Sequence, residues 1–95
     1  MSLPAAPIHP AQVQMRERLA ALQPAALDIT DDSALHAGHA GAAGGGGHYT
    51  LRIVSARFAG LNRVARHRLV YDTLGTLMQH QIHALALTTL APAEV

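Results

Sequence analysis

The residues of this chain best equipped for chemistry are its histidines. Seven occur in 95 residues, and no cysteine accompanies them. A neutral imidazole is a good ligand for zinc, copper, iron and nickel, so a histidine cluster is first a metal hypothesis. No tight ligand motif such as HExxH is present, and the competing reading is a set of polar residues in a loop and at strand ends. A structural zinc site needs four ligands, and a [2Fe–2S] cluster also needs four, normally with thiolates among them. Two imidazoles therefore leave a site half built. With no cysteine here, the remaining ligands must come from another molecule.

The elements that must position these histidines can be read from periodicity. Residues 1–9 are rich in Pro and Ala and read as a flexible tail. Pro10 suits the first position of a helix, and Met15, Leu19 and Leu22 recur at helical spacing until Pro24. Ala26 to Asp31 alternates as a short strand. Residues 33–47 contain His36, His39 and a run of four glycines and read as a mobile loop. His48 to Ala56 is the clearest strand. Arg63 to Met78 reads as a helix with the stripe Val64, His67, Val70, Leu74 and Leu77, weakened at Gly75. Ile82 to Thr89 is apolar on both faces, which predicts a deeply buried third strand. Residues 92–95 read as a frayed C-terminus after one domain spanning 10–91.

The order is helix, strand, strand, helix, strand. A right-handed crossover makes the last two strands parallel. The expected fold is a small α/β (α+β) sandwich, with a three-stranded mixed sheet and helices on one face. Parallel strands begin at the same sheet edge, so His48 and His83 start side by side. The loop carrying His36 and His39 feeds into that edge, and His80 ends the preceding helix. Side-chain parity then ranks the candidates. His83 shares parity with Leu85 and Leu87, whereas His48 is opposite to Leu51 and Ile53. If those four face one core, His48 and His83 point apart, and a loop histidine meets His83 more easily.

A second constellation is basic. All seven basic residues are Arg, and five fall between Arg52 and Arg68. Arg57, Arg63, Arg66, His67 and Arg68 surround the start of the long helix, whose N-terminus itself favours anions. They read as a docking patch for nucleic-acid phosphate or an acidic protein surface, against a solvated helix face. His67 lies on the apolar stripe and reads as a partly buried structural residue. Few aromatic residues interleave with the Arg, so base stacking is weakly supported.

Composition sets the outer bounds. Ninety-five residues suffice for one domain with a thin core. The lack of cysteine excludes disulfides and a cysteine nucleophile. No apolar run approaches the ~20 residues of a membrane-spanning helix, and no signal peptide is read at the N-terminus. A cytoplasmic protein is expected. No paired carboxylates, nucleophile motif or phosphate-cradling glycine loop supports an enzyme. The four glycines precede a strand rather than a helix.

Several segments together resemble the BolA-like family. They are Asp32-Ser33, His36, His48-Tyr49, Val54-Ser55-Ala56-Arg57-Phe58-Ala59-Gly60, Arg66-His67-Arg68-Leu69-Val70-Tyr71 and Ile82-His83-Ala84-Leu85-Ala86-Leu87. The resemblance runs from the first helix to the end of the third strand. It implies an αββαβ fold similar to class II KH domains, and a monothiol glutaredoxin as partner. In such pairs a [2Fe–2S] cluster is held by a glutaredoxin cysteine and glutathione on one side. The BolA-like protein supplies a histidine, here His83, and a second ligand from the loop between the first two strands. This chain resembles the histidine type. His36 matches the loop histidine best, with His39 and His48 as further candidates. No cluster is expected in the isolated chain, as monomer or weak dimer. Imidazole ligation of this kind weakens toward acid pH, because a protonated ring cannot bind metal. Some BolA-like proteins are described as transcriptional regulators, which makes DNA the alternative partner.

Overall fold

The protein is described by a computed structural model covering residues 10–32 and 47–95. The tail 1–9, His36, His39 and all of the predicted loop except Gly47 lie outside the described residues. Helix α1 spans Pro10–Leu19 and tightens into a 3₁₀ turn, Ala20–Leu22. Strand β1 follows at Ala26–Asp31 and strand β2 at Gly47–Val54. A 3₁₀ turn, Ala56–Phe58, leads to helix α2, Arg63–Leu74. A short helix α3, Leu77–His80, precedes strand β3, Ile82–Leu90, and a last 3₁₀ turn, Pro92–Glu94.

The sheet order is β1-β2-β3, with β1 antiparallel and β3 parallel to the central β2. This is the expected mixed sheet. Alternation decides its two faces. Leu51 and Ile53 are fully buried, and their partners Leu27, Ile29 and Leu87 pack against the same core. Thr30, Thr50, Ala84, Ala86 and Thr88 lie exposed on the other face. The helices cover the first face through Met15, Leu19, Leu22, Val70, Leu74 and Leu77. Phe58, the single phenylalanine, is fully buried where the chain passes from β2 to α2.

The structure corrects three expectations. First, β3 is an edge strand with much of its surface exposed, not a deeply buried one. Its apolar appearance comes from small alanines on the open face. Second, the predicted helix 63–78 breaks at Gly75, whose φ of +58° lies in the left-handed region that favours glycine. Arg18 Nη1 donates to the Leu74 carbonyl at 3.2 Å, so a side chain of α1 satisfies the end of α2. Third, Val64 stands outside the buried stripe at 65% exposure. The start of α2 is held by its cap instead: the Asn62 side chain accepts from the Ala65 amide at 2.8 Å.

Ser55 fastens the β2–α2 connection. Its buried hydroxyl donates to the Leu22 carbonyl at 2.6 Å and accepts from the Arg57 amide at 3.1 Å. One side chain thereby ties the end of the first helical segment to the crossover. Among the described residues, no helix is long and apolar enough to cross a membrane.

Candidate metal centre

The first two turns of the parallel pair decide the site. Gly47 is paired with Ile82, but His48 is paired with Ala84. His83 is thus an extra residue in β3, a β-bulge. Bulges place two residues opposite one and re-aim their side chains. The effect is visible in burial. Ile82 is buried and Leu85 packs on the core, three positions apart, while His83 and Ala84 between them are both exposed. An unbroken strand would put positions three apart on opposite faces.

The parity expectation for His48 and His83 is therefore overturned. The bulge turns His83 onto the open face, where His48 already lies. Their ring centroids are 5.1 Å apart, with planes inclined by 45°. Two imidazoles on one tetrahedral ion, at metal–nitrogen distances of ~2.0–2.1 Å, would have ring centres roughly 5 Å apart. The pair matches that spacing. His83 is exposed and His48 half-buried.

Local bonds hold His48 in place. The Asp32 amide donates to the His48 carbonyl at 2.7 Å, and the Thr50 hydroxyl donates to the Asp32 carboxylate. The Gly47 amide donates to the Gln81 carbonyl at 3.1 Å, which locks the heads of β2 and β3 together. A Cβ at Gly47 would come within 2.5 Å of the Tyr49 ring, so the chain enters β2 where only a glycine fits without shifting that ring. Tyr49 itself is buried, and burial, reinforced by the Asp31 charge, raises its phenol pKa above the usual value. A shallow cavity of about 320 Å³ lies beside the histidines, lined by Asp32, His48, Tyr49, Ala84, Leu85 and Ala86.

His80 ends α3, close in sequence to the same edge, and is exposed. Among the described residues, no group of three or more His, Cys, Asp or Glu converges on one point. The described donor set is a pair of imidazoles. The other ligands of any metal there would have to come from beyond the described residues.

The basic cluster divides in two. Arg57, Arg63 and Arg68 are exposed, and His67 is half-buried, in keeping with its place on the helix stripe. Arg66 is not available as a surface cation. Its Nε donates to the Leu61 carbonyl at 2.8 Å and its Nη1 to the Thr89 carbonyl at 3.2 Å. Nη1 and Nη2 grip the Glu94 carboxylate at 2.6 and 2.9 Å. This bidentate bond and the Ala91 amide hold the Glu94 carboxyl well below the usual carboxylate range, at about 2. Residues 92–95 are thus not a frayed end: Pro92–Glu94 forms a turn pinned to α2. Glu94 escaped the sequence reading because its partner is 28 positions away, and no local pattern marks such a pair.

The strand order and the one-sided helix layer define a small αββαβ domain with a three-stranded mixed sheet. The chain belongs to the BolA-like family, whose family model, BolA-like protein, matches residues 19–94. It resembles the solved BolA domain of SufE1 from Arabidopsis thaliana at a TM-score of 0.81 and 39% identity, covering 94% of this chain and 100% of that one. It is 44% identical over 85 residues to protein BOLA1, chloroplastic, of the same plant, covering 85% of this chain and 53% of that protein. It is 42% identical over 72 residues to the DNA-binding transcriptional regulator BolA of Vibrio cholerae, covering 76% and 65%. The chain spans only 24% of the full SufE-like protein 1 and about half of BOLA1.

Proposed function

We propose that this chain is a non-enzymatic partner of a monothiol glutaredoxin, and that the two proteins together ligate a [2Fe–2S] cluster in iron–sulfur trafficking or iron sensing. The observation that carries this reading is the His48–His83 pair, 5.1 Å apart at an open sheet edge. Two nitrogen donors meet one iron, and the other iron takes thiolates from the partner's cysteine and glutathione. His83 is the exposed ligand that a partner reaches first. His48, fixed by β2 and Asp32, is the proposed companion, with the loop residues His36 and His39 as the alternatives from sequence. The bound cluster supplies transferable iron and one-electron redox chemistry. This chain's part is to present nitrogens that bind only when deprotonated, which makes the complex acid-labile. We place this chemistry in the cytoplasm.

The test is to add the isolated chain to a glutaredoxin–glutathione [2Fe–2S] complex and follow visible circular dichroism. The expected result is a new spectrum that saturates near one chain per cluster and reverts on acidification. An unchanged spectrum at excess chain would end the proposal.

A second reading is DNA binding, supported by the exposed Arg57, Arg63 and Arg68 around the start of α2 and by the similarity to the DNA-binding transcriptional regulator of Vibrio cholerae. Arg66, bound to Glu94, drops out of that interface. Each phosphate-contacting Arg changed to Ala should reduce the salt slope of binding by about 1. A lack of any DNA binding at low salt would eliminate this reading.

A further inference from the structure

The cavity between α2 and the end of β3 is separate from the histidine pair and lies on another part of the molecule's chemistry. It has a volume of about 380 Å³ and is lined by Leu61, Arg63, Arg66, His67, Thr89 and Glu94, among others. Three basic side chains and one acid share it. The guanidinium of Arg66 is oriented from behind by two backbone carbonyls, those of Leu61 and Thr89. Those bonds do not involve Glu94, so the fork formed by Nη1 and Nη2 has supports of its own besides that carboxylate. The fork matches a carboxylate in a two-point grip. Arg63 and His67 stand beside it without an acidic neighbour of their own in the cavity apart from Glu94.

Glu94 is the more exposed partner of the pair. Its side chain is 43% exposed while that of Arg66 is 12% exposed. Beyond Arg66, it is held by the Ala91 amide at 2.6 Å, a bond within its own turn. Apart from its bonds to Arg66, the carboxylate is tethered by a short turn, whereas the receptor is also fixed by backbone carbonyls; this is the arrangement of a built site and a tethered occupant.

We propose that this cavity is a receptor for a carboxylate side chain on an acidic segment of a partner protein, and that Glu94 is an internal stand-in which the partner displaces. In the exchange the two Arg66 bonds pass from one carboxylate to another, and the Ala91 amide is released with the C-terminal turn. The tether gives Glu94 a high effective concentration, so a free acid competes poorly until the rest of a partner surface adds its own contacts. Docking at this cavity is thereby conditional on a partner that also binds elsewhere. The proposal does not depend on the histidine pair, and His83→Ala leaves its test unchanged.

The test uses the full chain with Glu94→Ala and Glu94→Gln, and a blocked peptide Ac-Ala-Pro-Ala-Glu-NH₂ as probe. Its Gln counterpart and inorganic phosphate serve as controls. Binding is followed by NMR at the Arg66 Nε–H and the His67 ring. Both variants should bind the Glu peptide at least tenfold more tightly than the unaltered chain, and the Gln peptide should not bind. No peptide binding by a folded variant would overturn the proposal. So would phosphate binding as tightly as the Glu peptide, because the site would then be a general oxyanion cradle. If neither variant folds, Glu94→Asp, whose shorter side chain reaches Arg66 less well, takes their place in the same titration; a saturable shift at the Arg66 Nε–H supports displacement, and a stationary signal rejects it.

Discussion

His83→Ala is expected to abolish the spectral change that the unaltered chain produces on a glutaredoxin-bound cluster, and to weaken the cluster-dependent complex by at least about 100-fold. The magnitude follows from comparison. Removing even an outer partner of a metal ligand costs roughly 10–100-fold in affinity, and His83 is proposed as a ligand itself. The side chain is exposed, so its loss leaves no buried hole and the fold should keep its thermal midpoint. His48→Ala is expected to have nearly the same spectral effect, because the pairing of rings 5.1 Å apart makes it the companion donor. His36→Ala and His39→Ala should leave the spectrum close to that of the unaltered chain. Visible circular dichroism and a titration of complex formation with and without cluster distinguish these outcomes. A spectrum that survives His48→Ala but collapses with His36→Ala would move the second ligand into the loop. One that survives His83→Ala would remove the histidine edge from cluster binding altogether.

The source of that prediction also shows which part of the site was legible from sequence. Periodicity was enough for β1, whose bounds, Ala26–Asp31, match the alternation of Leu27 and Ile29. The parallel relation of β2 and β3, a chirality argument, correctly brought His48 and His83 to one edge. What failed was parity. Strand alternation assumes one residue opposite one, and a single inserted residue inverts every inference beyond it. The insertion sits at the very head of β3, between Ile82 and Ala84, where the apolar run Ile82-His83-Ala84-Leu85 carries no mark of a bulge. The strand order was the second gap. Nothing local says that β3 is an edge, because alanines satisfy both a buried and an open face. The third was Glu94: a charge patch read along the chain includes Arg66 and omits an acid that only the fold brings to it. Local pattern thus brought the histidines to one end, and nonlocal pairing decided which side chains meet there and which cations are free.

These two basic and imidazole centres depend on the same crossover. β2 delivers His48 at its head and hands the chain to α2 at its foot, where Arg63, Arg66 and His67 begin. The connection between them is anchored by the buried Ser55 and Phe58, so their packing sets the relative placement of both ends of the domain.

Phe58→Ala is accordingly expected to cost about 3–5 kcal/mol of folding stability, the range for removing a large aromatic side chain from a packed core. Phe58 is fully buried, is the single phenylalanine of the chain, and lies in a core otherwise built from Leu, Ile, Val, Met, Ala and one Tyr. Its backbone is tied on both sides, with its own amide donating to the Ser55 carbonyl at 3.1 Å and its carbonyl accepting from the Leu61 amide at 3.0 Å, which limits collapse around the cavity. Domains of this size have only about 5–15 kcal/mol in total, so the variant should lose a large share of its stability. Phe58→Leu, which keeps much of the volume, should lose no more than about 1.5 kcal/mol. Urea denaturation followed by far-ultraviolet circular dichroism measures both. Equal midpoints for the two variants would mean that the crossover can close over a missing ring, and that Phe58 is not what holds β2 against α2.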